Sequence, residues 1–219
     1  MSDRMRQLFK ANNFFLIPYI FTFTVCMVLL LTFSKPELHI FSNKLNSPFF
    51  DVFFRYITNL GDGAMIAVLT IALLFVRYRY AIVFLSGSLL TAGIINFIKR
   101  VLLGDVFRPS KYFELFESYQ LHFVDGVKLH ALHSFPSGHT GTAFNVFFML
   151  ALIISNKPLK LFMFFAAAIV AYSRVYLSQH FLIDITVGSV FGTSIILLFF
   201  WWFSKWENNW LDKSLIGIK

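Results

Sequence analysis

Ser173–Asp184 reads SRVYLSQHFLID and lies at the seam between two strongly apolar runs. Arg174, His180 and Asp184 are groups that a membrane segment does not carry without a reason, because charge at bilayer depth is costly. If His180 lies on a helix, Asp184 is four residues on and shares its face. A carboxylate there accepts the imidazole N–H, fixes the tautomer and leaves the other nitrogen free to attack or bind. A capping histidine with an interfacial acid, at the end of a membrane helix, accounts for the stretch equally well when it is taken alone.

The surrounding composition places this seam in a bilayer. Of 219 residues, 58% are hydrophobic and 14% charged, with a mean hydropathy of +0.70; soluble domains carry about a quarter charged residues. Thirty phenylalanines suit lipid contact and interhelical packing rather than a solvated surface. The formal charge of +8 is scattered among loops without a dense patch, so positive-inside topology explains it and no nucleic acid is expected. The single cysteine, Cys26, excludes an intrachain disulfide and a cysteine zinc site.

The apolar runs predict an all-α bundle of six transmembrane helices in one domain, 1–219. The spans fall near 14–33, 64–76, 80–98, 140–155, 161–172 and 181–203. Met1–Asn13 reads as a short polar, basic lead, and the first run is long enough to be a retained helix without a clear cleavage site. Phe49–Ile57 has the pattern of an amphipathic interfacial segment. The second run is short for a bilayer and is expected to begin earlier than its apolar core. Gly188 and Gly192 have the small-xxx-small spacing of close helix contact, expected within the monomer. Trp201, Trp202, Trp206 and Trp210 form an interfacial belt.

Six spans put connections 1–2, 3–4 and 5–6 on one side. The termini and the basic turns Arg77/Arg79 and Lys157/Lys160 take the other side, assigned to the cytoplasm. Three clusters then share the outer side: Lys99, Arg100 and Arg108-Pro109; Pro136-Ser137-Gly138-His139; and Arg174, His180 and Asp184. Guanidinium groups and helix N-terminal N–H groups grip phosphate oxygens. Two imidazoles, one aligned by an acid, suit covalent phosphoryl transfer.

FPSGHT at Phe135–Thr140 and SRVYLSQHFLID resemble the second and third signatures of the type 2 phosphatidic acid phosphatase family. These are integral-membrane lipid phosphate phosphatases related to vanadium haloperoxidases. Arg108-Pro109 resembles the end of the first signature, so the likeness runs from Lys99 to Asp184. It implies that His180 is a nucleophile forming a phosphohistidine, that Asp184 orients it, and that His139 protonates the leaving oxygen and then activates water. It assigns Arg108, Arg174, Ser137, the Gly138 N–H and a lysine to the phosphoryl oxygens. No metal and no cofactor are implied, and no obligate protein partner is expected. The family's signature usually leaves six residues between its lysine and Arg-Pro, which puts the lysine position at Val101 in this chain. Either Lys99 reaches the phosphate through a lengthened turn containing Gly104 and Asp105, or Arg100 replaces it; Lys99 is favoured.

The expected enzyme acts on a membrane lipid phosphate at the outer face of a bacterial inner membrane. A lipid phosphotransferase using the same intermediate is the alternative. A transporter or channel using Arg174, His180 and Asp184 is the rival from another class. Phosphatidic acid, phosphatidylglycerophosphate, polyprenyl diphosphate and lipid A phosphates all fit. The loop Ser110–Phe135 sets Lys111 and Lys128 against Glu114, Glu117 and Asp125, which offers no strongly basic cradle. His130 and His133 read as loop histidines rather than metal ligands. Tyr112, Phe113, Phe116 and Tyr119 are expected to anchor their loop to the headgroup layer.

Overall fold

The computed structural model describes residues 3–217, and among these it contains helices and loops without a strand. In order they are α1 (Asp3–Ala11), α2 (Asn13–Thr32), α3 (Lys35–Asn43), α4 (Pro48–Ile57), α5 (Ala64–Leu74), α6 (Tyr78–Phe97), α7 (Pro109–Phe116), α8 (Gly138–Ile153), α9 (Lys157–Tyr176) and α10 (Leu182–Phe203). A 3-10 turn, Thr58–Gly61, follows α4, and a π turn, Ile98–Leu102, extends α6.

Local chemistry sets where these helices start. Ser34 and Glu37 close a capping box at α3, and Ser47 caps α4 with Pro48 in the first turn. Asn156 accepts the Leu159 N–H at 2.9 Å to begin α9. Each cap gives an acceptor to an N–H that the helix itself leaves unpaired. The interiors of α2, α5, α6, α8 and α10 are apolar all round, as expected of segments buried in lipid and in one another.

Within a bilayer, helices associate through close packing rather than escape from water. Here α10 packs against α8 and α6, α8 against α9, and α2 lies across α9. Phe15 sits at the centre of the bundle against Phe144, Phe148 and Phe164. The closest approach is between α8 and α10. A Cβ on Gly188 would stand 2.5 Å from the Ser137 carbonyl oxygen, and one on Gly192 the same distance from that of Gly141. The glycine pair therefore serves contacts inside the monomer.

The two ends of the bundle differ. At one, Arg79 holds both carboxylate oxygens of Asp212 at 2.9 and 2.7 Å, Lys160 donates to Ala11 and Asn12, and Arg4 donates to the Ser204 carbonyl. The other end gathers segments following α4, α6, α7 and α9 around the residues singled out by sequence.

Several boundaries differ from expectation. Four helical segments are long and apolar enough to cross a bilayer: Asn13–Thr32, Tyr78–Leu102, Lys157–Tyr176 and Leu182–Phe203. Pro48–Gly61 and Ala64–Leu74 make a fifth if taken as one span bent by 57°, which explains the short second apolar run. The expected fourth span is α8, whose 16 residues cover about 24 Å at 1.5 Å per residue, less than the hydrocarbon thickness of about 30 Å. The lead segment forms α1 rather than a simple polar tail; Met1 and Ser2 lie outside the described residues. Phe113 is buried against His39 rather than lying in the headgroup layer.

Candidate active site

The end of α9 and the start of α10 carry the opening motif. The backbone N–H groups of Gln179 and His180 both donate to the Arg174 carbonyl, at 2.9 and 3.0 Å, closing the helix around its own arginine. Ser178 takes a left-handed conformation, φ 51°, and its hydroxyl lies 3.1 Å from His39 Nε2. The turn places His180, fully buried, with Nδ1 3.2 Å from Asp184 Oδ2.

Asp184 is held as firmly. Its Oδ2 also accepts the Ser134 hydroxyl at 2.5 Å and the Phe181 N–H at 2.9 Å. Its backbone carbonyl accepts the Ser137 N–H at 2.9 Å, joining the second motif to the third. With Nδ1 committed to the carboxylate, the nitrogen left to meet a substrate is Nε2. Burial first, then Arg108, Lys99 and Arg174, keep the imidazole well below the ordinary histidine pKa. At neutral pH it is therefore uncharged and nucleophilic.

His180 lines a cavity of about 230 Å³ with Lys99, Arg108, Gly138 and His139. Lys99 reaches it although two residues are added between lysine and arginine. The π turn at Ile98–Leu102 and a left-handed Gly104, φ 55°, take up the extra chain. Arg100 is exposed and does not line this cavity. Arg108 begins α7 ahead of Pro109; its Nε donates to the Leu132 carbonyl at 3.0 Å and Nη1 to Gln179 at 3.2 Å. Ser137 is fully buried, and its Oγ caps α8 by accepting the Thr140 N–H and hydroxyl, at 3.3 and 3.0 Å. His139 Nε2 lies 2.9 Å from Asp62 Oδ1.

Arg174 lies on the other side of His139. It is buried, donates to the Thr58 hydroxyl at 2.8 Å and to Gln179 Oε1 at 3.4 Å, and lines a second cavity of about 310 Å³ that His139 also borders. Gln179 thus places one amide oxygen between two guanidinium groups, and its own N–H₂ donates to the Lys128 carbonyl at 3.0 Å.

Four polar contributors were not singled out by sequence: Asp62, Ser134, Gln179 and His39. Gln179 stood inside the quoted motif, and Asp62 stood in the LGDG turn before α5. Those positions were the only available signals, since each contact is made across the fold.

Comparison with known proteins agrees with this geometry. Residues 80–208 match the PAP2 superfamily. The fold is similar to the crystal structure of Aquifex aeolicus LpxE, at 24% identity over 74% of this chain and 92% of that one, with a TM-score of 0.65. It is also similar to a transmembrane PAP2-type phosphatidylglycerolphosphate phosphatase from Bacillus subtilis, at 20% identity over 88% and 98% of the two chains, with a TM-score of 0.57. With the family match covering more than half the sequence, and with its apolar helices long enough to cross a bilayer, this integral-membrane chain belongs to the PAP2 superfamily.

Proposed function

We propose that this PAP2-superfamily enzyme hydrolyses a phosphate monoester or diphosphate of a membrane lipid through a phosphohistidine on His180, with no metal ion required. The observation that carries the proposal is the buried His180–Asp184 pair facing the same cavity as His139, Lys99 and Arg108. The phosphatase relative of known structure, named for phosphatidylglycerolphosphate, supports a lipid substrate.

In the first half-reaction, His180 Nε2 attacks phosphorus as the bond from phosphorus to the lipid oxygen breaks. His139, which takes up a proton as the anionic substrate binds and offsets the surrounding cations, gives its Nε2 proton to that oxygen, for which its contact with Asp62 must open. Lys99, Arg108 and the Gly138 N–H hold the three remaining oxygens, with Arg174 supporting Arg108 through Gln179 from beyond His139, and preorganised donors stabilise the charge developing there. In the second half-reaction, His139 takes a proton from water, whose oxygen attacks phosphorus as the phosphorus–nitrogen bond breaks. Inorganic phosphate leaves, and both histidines return to their starting state. Ser137 supports this arrangement as the cap of α8 and reaches a phosphoryl oxygen only if its hydroxyl leaves that role.

The charged residues collect at one end of the bundle, which fits a site rather than a path across it. We place the protein in a bacterial inner membrane with that end outward, since the stitched end carries the basic turns. The test is phosphate release from defined lipid phosphates in detergent. Wild type is expected to turn over in the presence of a chelator, and His180→Ala to lose at least 1,000-fold, an order-of-magnitude figure for removing a nucleophile. His139→Ala should slow both half-reactions, and rapidly quenched wild type should carry an acid-labile phosphate that His180→Ala lacks. An unchanged His180→Ala rate, or complete loss with chelator, would refute the mechanism.

A further inference from the structure

His139 separates two cavities, and only the first is bordered by His180. The second is lined by Arg55 of α4, Thr58 and Asn59 of the following 3-10 turn, Lys128 and His130 of the long loop, and Arg174. The charges in this group have one sign and lack acidic partners. Among the described residues, neither Arg55 nor Lys128 forms an ion pair. No carboxylate lines the cavity; of the acids near it, Asp51 is engaged by Tyr176 and His122 and Asp62 by His139, while Asp125, beside Gly126, is exposed and outside the lining. Arg174 Nε is buried without a partner.

The loop is shaped to receive one of these cations. Gly126 has φ 73°, and a Cβ there would lie 2.5 Å from an Arg55 terminal nitrogen, so its bare backbone gives the guanidinium a close seat. His130 registers the local field: burial, then Arg108, Lys128 and Arg174, hold its imidazole below the ordinary value. A concave site with several cations, no free carboxylate and an unpaired buried N–H is suited to an anion. Sequence gave no sign of it, because Lys111 pairs with Glu114 at 3.0 Å and the decisive arginine comes from a different element.

The position fixes what the anion belongs to. In the proposed reaction His139 protonates the leaving oxygen, so the group beyond that oxygen lies past His139. Next to the cavity, α4 exposes Phe49, Val52 and Tyr56, an apolar surface for acyl chains at the interface. We propose that the second cavity holds an additional anionic group on the leaving-group side, which makes lipids with two phosphates in the headgroup region better substrates than lipids with one. This rests on the phosphatase function proposed above.

The experiment compares kcat/KM in mixed micelles for phosphatidic acid and phosphatidylglycerophosphate with the same acyl chains. The first carries only the scissile phosphate; the second adds an internal phosphodiester. Wild type should prefer the second. In the double variant Arg55→Gln/Lys128→Gln, both changes being at exposed side chains, the preference should fall at least tenfold through KM of the doubly charged lipid. The charge-keeping pair Arg55→Lys/Lys128→Arg should retain most of it. An unchanged preference, equal loss on both lipids, or equal loss in the charge-keeping pair would overturn the proposal. Wild type inactive on both lipids would overturn this inference, and inactive also on polyprenyl diphosphate and lipid A would overturn the phosphatase reading, an outcome distinct from all the others.

Discussion

Gly188→Ala adds one methyl group to α10, outside the lining of the His180 cavity, and should nevertheless disable the enzyme. The new Cβ would lie 2.5 Å from the Ser137 carbonyl oxygen and 3.2 Å from Thr140 Cβ, where ordinary contact begins near 3.4 Å. The oxygen belongs to backbone and cannot swing away, so α8 and α10 must part by about 0.9 Å locally. Those helices hold the two histidines: His139 follows Ser137 by two residues, and the Ser137 N–H is bound to the Asp184 carbonyl. A misplacement of about 1 Å between reacting groups costs on the order of 100-fold. We expect kcat to fall by about that factor, with an overpacking cost of about 1–3 kcal/mol in stability. The assay is steady-state phosphate release beside thermal unfolding in the same detergent. Gly192→Ala makes an equal clash against Gly141, one turn deeper, and should lose similar stability with less effect on kcat. Gly93→Ala meets nothing within 4 Å and should be neutral or slightly stabilised. A folded Gly188→Ala enzyme retaining half of wild-type kcat would refute the claim that this helix contact sets the histidine spacing.

Other substitutions separate the remaining roles. Lys99→Ala should cost about 100-fold in kcat/KM, as expected for a cation lining the cavity, whereas Arg100→Ala should stay within about twofold; the reverse order would assign the first-motif role to Arg100. Ser134→Ala removes one of three donors to Asp184 Oδ2. Because hydrogen bonds to charged groups are worth about 1.5–3 kcal/mol, kcat should drop roughly 10- to 100-fold, and wild-type turnover would show the bond to be idle. Gln179→Leu should raise KM severalfold by releasing Arg108 and Arg174, and an unchanged KM would remove it from phosphate positioning. Burial lowers His39 from 6.5 to about 4. The unfolded chain then binds a proton that the folded one refuses, so stability present above pH 6.5 is lost as pH falls toward 4. The full loss is about 3 kcal/mol by linkage. His39→Gln should flatten this slope in detergent melts between pH 4 and 7, and an unaltered slope would place the titration elsewhere.

The apolar runs were legible because a bilayer forces backbone polar groups into helices, and the first and sixth spans differ from expectation by a residue. The second run was harder. Its helix is assembled from two pieces bent at Asp62-Gly63, and the first of them, α4, reads as interfacial because only Phe54 is buried in it. Site residues within each motif were legible from local spacing, including the His180–Asp184 pair. Lys99 was open because sequence counts residues, whereas a π turn changes how far each one carries the chain. Asp62, Ser134 and His39 had no local signature at all: their partners stand 77, 50 and 139 positions away, at His139, Asp184 and Ser178.

Several of the legible residues stand at helix starts, whereas Lys99 and Arg174 stand at helix ends and His180 in the turn between α9 and α10. Arg108 precedes the first turn of α7, Ser137 and Gly138 open α8, and Asp184 lies in the first turn of α10. A helix start offers N–H groups that the helix does not use and the positive end of its dipole. It is also the last rigid point before the chain leaves the membrane. Placing anion-binding groups there avoids holding a row of charges at bilayer depth while fixing them on elements that cannot drift independently. The cost falls on α8, which gives its first turn to the site and is left shorter than the other candidate spans. The close glycine contact with α10 then becomes a requirement, because this short helix carries the residue between the two cavities and depends on its neighbour for position.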